Sequence, residues 1–125
     1  MYTTIAVATG GALGSVARYG VTHWLASAIG QNLWGTFLVN VTGAFALGLL
    51  VGLTEVRVSL DPVLRTGLAV GVLGGYTTFS TLMYESAREI ENRALLNSTL
   101  NLGGSVAVGL MAVALGLALG RSASA

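Results

Sequence analysis

Residues 74–85 read GGYTTFSTLMYE, a polar stretch inside a long apolar segment that begins near Val63. The stretch contains a glycine pair and a central phenylalanine. Its hydroxyl residues are Thr77, Thr78, Ser80 and Thr81. Glycine is a poor helix former, and hydroxyl side chains compete for backbone hydrogen bonds. The stretch therefore predicts that a long apolar helix is interrupted here, with backbone groups freed in apolar surroundings.

The composition of the whole chain places this stretch in a membrane. Of the 125 residues, 54% are hydrophobic and only 9% are charged, and the mean hydropathy is +0.77. A soluble domain carries about 25% charged residues. At about 20 apolar residues per crossing, the chain has room for roughly four membrane helices. We therefore predict one all-α integral membrane domain, residues 1–125, with four transmembrane helices and the third broken near mid-membrane.

Four apolar spans are separated by short polar segments. The spans run over about 5–29, 33–54, 63–84 and 94–120. Between them lie GQN, EVRVSLDP and ESAREIENR. Asp61 and Pro62 are typical of a helix N-cap and first helical residue, because aspartate accepts from free amides and proline has none to lose. No linker is long enough to introduce a second domain.

Glycines recur at four-residue spacing in all four spans. The pairs are Gly10 with Gly14, Gly48 with Gly52, Gly67 with Gly71, and Gly116 with Gly120. In lipid, such patterns of small residues let helix backbones approach closely. We expect tight helix packing, either within the chain or with another copy of it.

The basic residues at the ends of the spans are nearly balanced between the two sides. One side holds Arg57, Arg65 and Arg121, and the other holds Arg88 and Arg93. Because the Lys and Arg imbalance of short loops sets topology, so small a bias favours insertion in both orientations. An antiparallel dimer of this chain is a reasonable expectation.

The polar residues within spans two and four are uncharged. Span two carries Thr36, Asn40 and Gly43 on one helical face, and span four carries a stripe at strict four-residue spacing. The stripe consists of Asn97, Asn101, Ser105 and Gly109. Spans one, two and four contain no acidic residue, so a proton-coupled carboxylate at mid-membrane is not expected. Hydroxyls, amides and ring edges suit a small anion, and unwound carbonyls suit a cation such as sodium.

Three motifs resemble the Fluc (CrcB) family of fluoride channels. They are GGYTTFST in span three, WGTFLVN in span two and GGALGSVAR in span one. The similarity covers all four spans in order. It implies a fluoride-selective channel that exports fluoride by passive electrodiffusion. It also implies an antiparallel dual-topology homodimer, with two pores and a structural sodium ion at its centre.

The resemblance assigns roles to positions of this sequence. The fluoride pore falls on Asn40, Phe79, Thr78, Ser80, Thr81, Leu82 and Ser105. Gly74 and Thr77 match the positions whose backbone carbonyls hold sodium, Arg18 matches a vestibule arginine, and Glu85 matches the acidic residue after the motif. The partners implied are fluoride, membrane lipid and a second copy of the chain. The location implied is the inner (plasma) membrane, as a multi-pass protein that confers fluoride resistance.

The chain departs from the family pattern at three positions. Leu82 stands where many members have a second phenylalanine, so each pore of a homodimer would pair Phe79 with a leucine. Asn101 stands where some members have an aromatic residue, and Gly109 where others have a hydroxyl.

Other interpretations of these residues remain open. Phe79 outside its motif would be a core aromatic, and Arg18 could extend its charge to the membrane interface. Asn101 is interpreted as a helix-to-helix hydrogen-bonding residue. The chain could also be a weakly conducting or non-conducting partner in a heterodimeric fluoride channel, or a four-helix multidrug exporter. We expect neither an enzyme nor a nucleic-acid-binding protein, and the lack of cysteine excludes thiolate chemistry.

Overall fold

The computed structural model describes residues 1–30, 33–56 and 59–123, and within these ranges the chain forms helices and no strands. Helix α1 is Tyr2–Ile29, α2 is Leu33–Val56, α4 is Phe79–Glu91 and α5 is Leu95–Ser122. Segment α3 covers residues 62–76 and comprises three consecutive pieces. They are Pro62–Thr66, the π-helical Gly67–Leu73, and Gly74–Tyr76. Gln31 and Asn32 of the GQN turn lie outside the described residues, as does Arg57.

The ends of two helices have the caps that their sequences favour. Gly30 ends α1 in the left-handed conformation, with φ 72°, and its N–H donates to the Ala26 carbonyl oxygen. The Asp61 side chain accepts from the amides of Val63 and Leu64 at 2.9 and 3.2 Å. The prediction that Asp61 caps the third span is confirmed.

The all-helical architecture is confirmed, and two helices have the character of membrane spans. Trp34–Val56 and Leu95–Ser122 are long and apolar enough to cross a bilayer. Helix α1 has 28 residues, about 42 Å at the usual rise per residue, but it carries more polar groups. Crossing of the membrane by α1 and by α3 with α4 stays a prediction.

The spaced glycines hold two helix pairs in backbone contact. On α1, a Cβ added at Gly10 would lie 2.6 Å from the carbonyl oxygen of Gly67 on α3. On α2, a Cβ at Gly52 would lie 2.6 Å from the carbonyl oxygen of Leu117 on α5. Four-residue glycine spacing therefore works as predicted, joining α1 to α3 and α2 to α5.

The distribution of apolar residues is the reverse of that in a water-soluble domain. Within the described residues, the buried apolar side chains of the core are Val39 and Leu82, which are 0 and 4% exposed. The other buried positions are glycines and hydroxyl residues, including Thr36, Ser86, Ser98 and Ser105. Large apolar side chains cover the outside. Such an exterior is compatible with lipid, where apolar side chains gain little from burial.

The third span consists of two helices that are separated by two extended residues. Thr77 has φ −85° and ψ 157°, and Thr78 has φ −151° and ψ 117°. The glycine pair, in contrast, is helical. A Cβ at Gly75 would lie 2.6 Å from the Gly11 carbonyl oxygen, so this glycine permits helix packing. The interruption therefore follows the glycines and lies at the two threonines, which we call the Thr77–Thr78 break.

Candidate functional site at the interrupted third segment

Asn40 of α2 forms two hydrogen bonds with the backbone of Thr78. Its Nδ2 donates to the Thr78 carbonyl oxygen at 3.0 Å, and its Oδ1 accepts from the Thr78 amide at 2.7 Å. In a continuous helix that amide would donate to the carbonyl of Gly74. The side chain of Asn40 thus stabilises the extended conformation and removes the helical donor of the Gly74 carbonyl.

Arg18 of α1 binds the other residue of the break. Its Nη1 donates to the Thr77 carbonyl oxygen at 3.1 Å. In a continuous helix this oxygen would accept from the amide of Thr81, which instead donates to the Thr78 hydroxyl at 3.3 Å. The two extended residues therefore have side-chain partners from two different helices.

A hydroxyl cluster surrounds the start of α4. Thr78 Oγ1 donates to Thr81 Oγ1 at 3.0 Å and lies 3.3 Å from Ser80 Oγ. Because Thr78 Oγ1 also accepts from the Thr81 amide, it is the N-cap of α4. The first amides of a helix attract negative charge. The N-terminus of α4 therefore combines hydroxyl groups with the partial positive charge of the first helical amides.

A cavity of about 480 Å³ lies beside the Thr77–Thr78 break, and we call it the break cavity. Its wall includes six of the predicted site residues. They are Asn40, Gly74, Thr77, Thr78, Phe79 and Ser105. Phe79 is 72% exposed, whereas Ser105 is 7% exposed and its hydroxyl has no hydrogen-bond partner. Polar groups from α2, the break and α5 thus converge on one space.

A second cavity, of about 370 Å³, lies on the other side of the break, and we call it the Arg18 cavity. Arg18, His23, Thr81 and Glu85 are among its lining residues. Thr78 lines both cavities, so the break separates them.

Glu85 pairs with Thr36 in the wall of the Arg18 cavity. Thr36 Oγ1 donates to Glu85 Oε1 at 2.8 Å, and Glu85 Oε2 is buried without a partner. Sequence reasoning missed this pair, although Thr36 lies one helical turn before Asn40 on the same face of α2.

The remaining predicted residues lie elsewhere. Leu82 is packed within the chain and is absent from the wall of the break cavity. Ser80 is exposed. The interpretation of Asn101 as a helix-to-helix hydrogen-bonding residue is not supported for its Nδ2, which is buried and without a partner. Asn101 lines a third cavity, of about 430 Å³, together with Asn97 and Trp34.

The donor set suits an anion better than a protein-ligated transition metal. Within the described residues, His, Cys, Asp and Glu form no group of three that could hold a metal ion. The backbone carbonyl oxygens of Gly74 and Thr77 are possible cation ligands, because the break removes the amide that each would accept from in a continuous helix. A carbonyl oxygen has two lone pairs, so the Arg18 bond leaves one free on Thr77. Each of these oxygens therefore keeps a lone pair that could accept from a further donor or a hard cation.

Comparison with known proteins identifies relatives over almost the whole chain. The model of the family described as "CrcB-like protein, Camphor Resistance (CrcB)" matches residues 5–117. Three relatives are each named "Fluoride-specific ion channel FluC". The protein of Agrobacterium fabrum is 45% identical over 117 residues, which cover 93% of this chain and 94% of the relative. That of Geobacter metallireducens is 42% identical over 122 residues, covering 97% and 98%. That of Acidobacterium capsulatum is 41% identical over 116 residues, covering 92% and 93%.

Proposed function

The chain belongs to the CrcB family, and we propose that it is a fluoride-specific ion channel whose ion pathway passes the Thr77–Thr78 break. It is a channel and not an enzyme, as the names of its relatives indicate. The observation that carries the proposal is the convergence of Asn40, Thr78 and Ser105 on the break cavity, with Phe79 at its wall. The second N–H of the Asn40 amide and the Ser105 hydroxyl are not used within the chain, so they can replace part of the hydration of fluoride without trapping it by a full charge. The hydroxyl hydrogen of Thr78 is instead donated to Thr81.

The movement of fluoride is passive in this proposal. In the pathway, the Asn40 amide and the Ser105 hydroxyl take the place of water at the break cavity. The hydroxyls of Ser80 and Thr81 at the start of α4, together with ring edges, continue the replacement of water beyond it. A channel must bind its ion strongly enough to admit it and weakly enough to release it. Larger halides fit the narrow path poorly. The use to the cell is export of fluoride that enters as the neutral acid and dissociates in the more alkaline cytoplasm.

A second, antiparallel copy of the chain completes the pathway in this proposal. The Phe79 ring is largely exposed, and the buried hydroxyl of Ser105 lacks a partner in the single chain. A buried polar group without a partner is costly, particularly in lipid. A second copy would cover both groups, and two pores would then lie in each dimer. The near balance of basic residues supports insertion of both orientations in the inner membrane as a multi-pass protein.

A sodium ion would be held between the copies by the carbonyl oxygens of Gly74 and Thr77. It would supply a fixed positive charge beside the break. Because two oxygens cannot complete the coordination shell of the ion, the second copy must provide the others. Replacement of sodium by a large organic cation should therefore lower the thermal stability of the dimer, measured in detergent.

Fluoride efflux from liposomes that contain only this protein tests the function. We expect efflux of fluoride, measured with a fluoride electrode, and none of chloride under the same gradient. A correctly folded protein without fluoride flux would reject the homodimeric channel. Flux that returned on mixing with a related chain would then support the partner-subunit alternative.

The absence of native cysteine allows a clean test of orientation. Asn92 follows α4 and is exposed. In spheroplasts, a membrane-impermeant maleimide should label about half of an Asn92→Cys variant if both orientations are inserted. Labelling of all molecules, or of none, would reject the dual topology and leave the fluoride assay unaffected.

A further inference from the structure

The packing of α1 on α3 places Arg18 beside the break. A Cβ at Gly14 would lie 2.8 Å from the amide nitrogen of Tyr76, so the two backbones touch just before the break. Arg18 follows Gly14 by one helical turn and projects from the same face of α1. Its guanidinium consequently reaches the Thr77 carbonyl oxygen at 3.1 Å.

The break creates a need for this donor. The Thr81 amide, which would serve the Thr77 carbonyl in a continuous helix, is bonded to the hydroxyl of Thr78. An acceptor that is left unpaired in a low-dielectric site is unfavourable, whereas a charged donor forms a strong hydrogen bond. Arg18 of α1 therefore provides a hydrogen-bond partner for the backbone of Thr77, as Asn40 of α2 does for the backbone of Thr78.

From this geometry we propose that Arg18 is a positioning residue that fixes the Thr77–Thr78 break, and that its charge is not needed to attract anions. This inference rests on the proposed fluoride channel. Release of Thr77 would let the break shift between its two cavities, and with it the N-cap of α4. The hydroxyl of Thr78, which lines both cavities, would lose its fixed place in the pathway.

Three variants separate positioning from attraction. Arg18→Gln removes the charge and shortens the donor. Arg18→Lys keeps a cationic donor at the same position. Arg18→Gln combined with His23→Arg restores a positive charge in the wall of the same cavity, because the exposed His23 also lines it, but places no cation beside Thr77.

We expect fluoride efflux to fall about tenfold or more in Arg18→Gln, the effect of losing one charge-assisted hydrogen bond. The Arg18→Lys variant should recover most of the flux, and the variant with the relocated charge should not. The proposal is overturned if the relocated charge restores flux. It is also overturned if Arg18→Lys conducts as poorly as Arg18→Gln.

Ionic strength gives a second measurement, which needs only the wild-type protein. Between about 10 mM and 1 M salt, the Debye length falls from roughly 30 Å to 3 Å. If Arg18 acts by position, wild-type efflux should change little over this range. A steep fall in efflux with salt would show attraction by charge and contradict the proposal.

Hydrogen exchange followed by mass spectrometry separates this inference from the proposed function. Arg18→Gln should speed exchange in peptides that cover residues 77–81, while peptides from α2 and α5 keep their protection. Unchanged exchange at residues 77–81 would overturn the positioning role. A wild-type protein that fails to transport fluoride would instead refute the proposed function, and the exchange comparison would still decide the role of Arg18.

Discussion

Gly14→Ala is the substitution that tests most directly how the break is held. A Cβ at Gly14 would overlap the carbonyl oxygen of Val72 and lie 2.8 Å from the amide nitrogen of Tyr76. Both are backbone atoms of α3, which cannot move away by changing a rotamer. Gly20 lies on the same helix, and a Cβ there would meet no atom within 4 Å. Gly20→Ala is therefore the matched control.

The expected magnitude follows from two opposing terms. Replacement of glycine by alanine within a helix is favourable by about 1 kcal/mol, and this term is common to Gly14 and Gly20. Overpacking costs about 1–3 kcal/mol and applies only to Gly14, where α1 must move away from α3. We therefore expect Gly14→Ala to be less stable than Gly20→Ala by about 1–3 kcal/mol.

Two assays check this expectation. Unfolding by a denaturing detergent in mixed micelles measures the free energy of unfolding of each variant. Fluoride efflux from liposomes measures whether the retreat of α1 disturbs the break, since Tyr76 is the last residue before it. Equal stability of the two variants, within about 0.5 kcal/mol, would refute the backbone contact between α1 and α3.

Three further substitutions test the pathway. Asn40→Ala removes both hydrogen bonds to Thr78 and should lower the free energy of unfolding by about 1 kcal/mol if they have the strength usual for side-chain bonds in membrane proteins, and by up to roughly 6 kcal/mol if both backbone groups stay unpaired. An unchanged free energy of unfolding would contradict the stabilisation of the break by Asn40. Phe79→Leu should reduce fluoride efflux without loss of folded protein in size-exclusion chromatography, because the exposed ring adds little to the single chain; unchanged efflux would exclude this ring from the pathway. Leu82→Phe should destabilise the protein by about 1–3 kcal/mol, measured by thermal unfolding, because Leu82 is 4% exposed. Unchanged stability with altered efflux would instead place Leu82 at the pore.

Much of the fold could be predicted because it depends on local patterns. Apolar run lengths predicted the helices, and Asp61 with Pro62 predicted the start of α3. The four glycine pairs predicted close packing, and they are the positions at which α1 meets α3 and α2 meets α5. The pairing of these helices could not be predicted, because glycine spacing gives the same signal for every partner.

The place of the break could not be derived from helix propensity. Gly75 favoured an interruption, but it is helical and packs against the backbone of Gly11. Thr78 is extended because Asn40, 38 positions earlier, bonds both of its backbone groups. The π-helical segment Gly67–Leu73 was also unpredicted, and nothing in the sequence pattern distinguishes it from an α-helix.

The motifs singled out residues that lie close together in the structure, but they did not predict the hydrogen bonds between those residues. Most of the expected pore residues line one cavity. The bond from Arg18 to Thr77 was missed, because no sequence pattern reports which carbonyl a long side chain will reach. Burial of Leu82 was missed for a similar reason, as the motif indicates its position on α4 and not the face that α2 and α5 cover.

The glycines at the helix contacts make the tolerance of this chain to mutation one-sided. At Gly10, Gly52 or Gly75 no smaller residue exists, so every replacement adds volume against a neighbouring backbone. At an outward position such as Leu13 or Leu115, one aliphatic side chain can replace another at little cost. A comprehensive mutational scan should therefore divide the chain into an inner set that accepts almost nothing and an outer set that accepts most apolar residues.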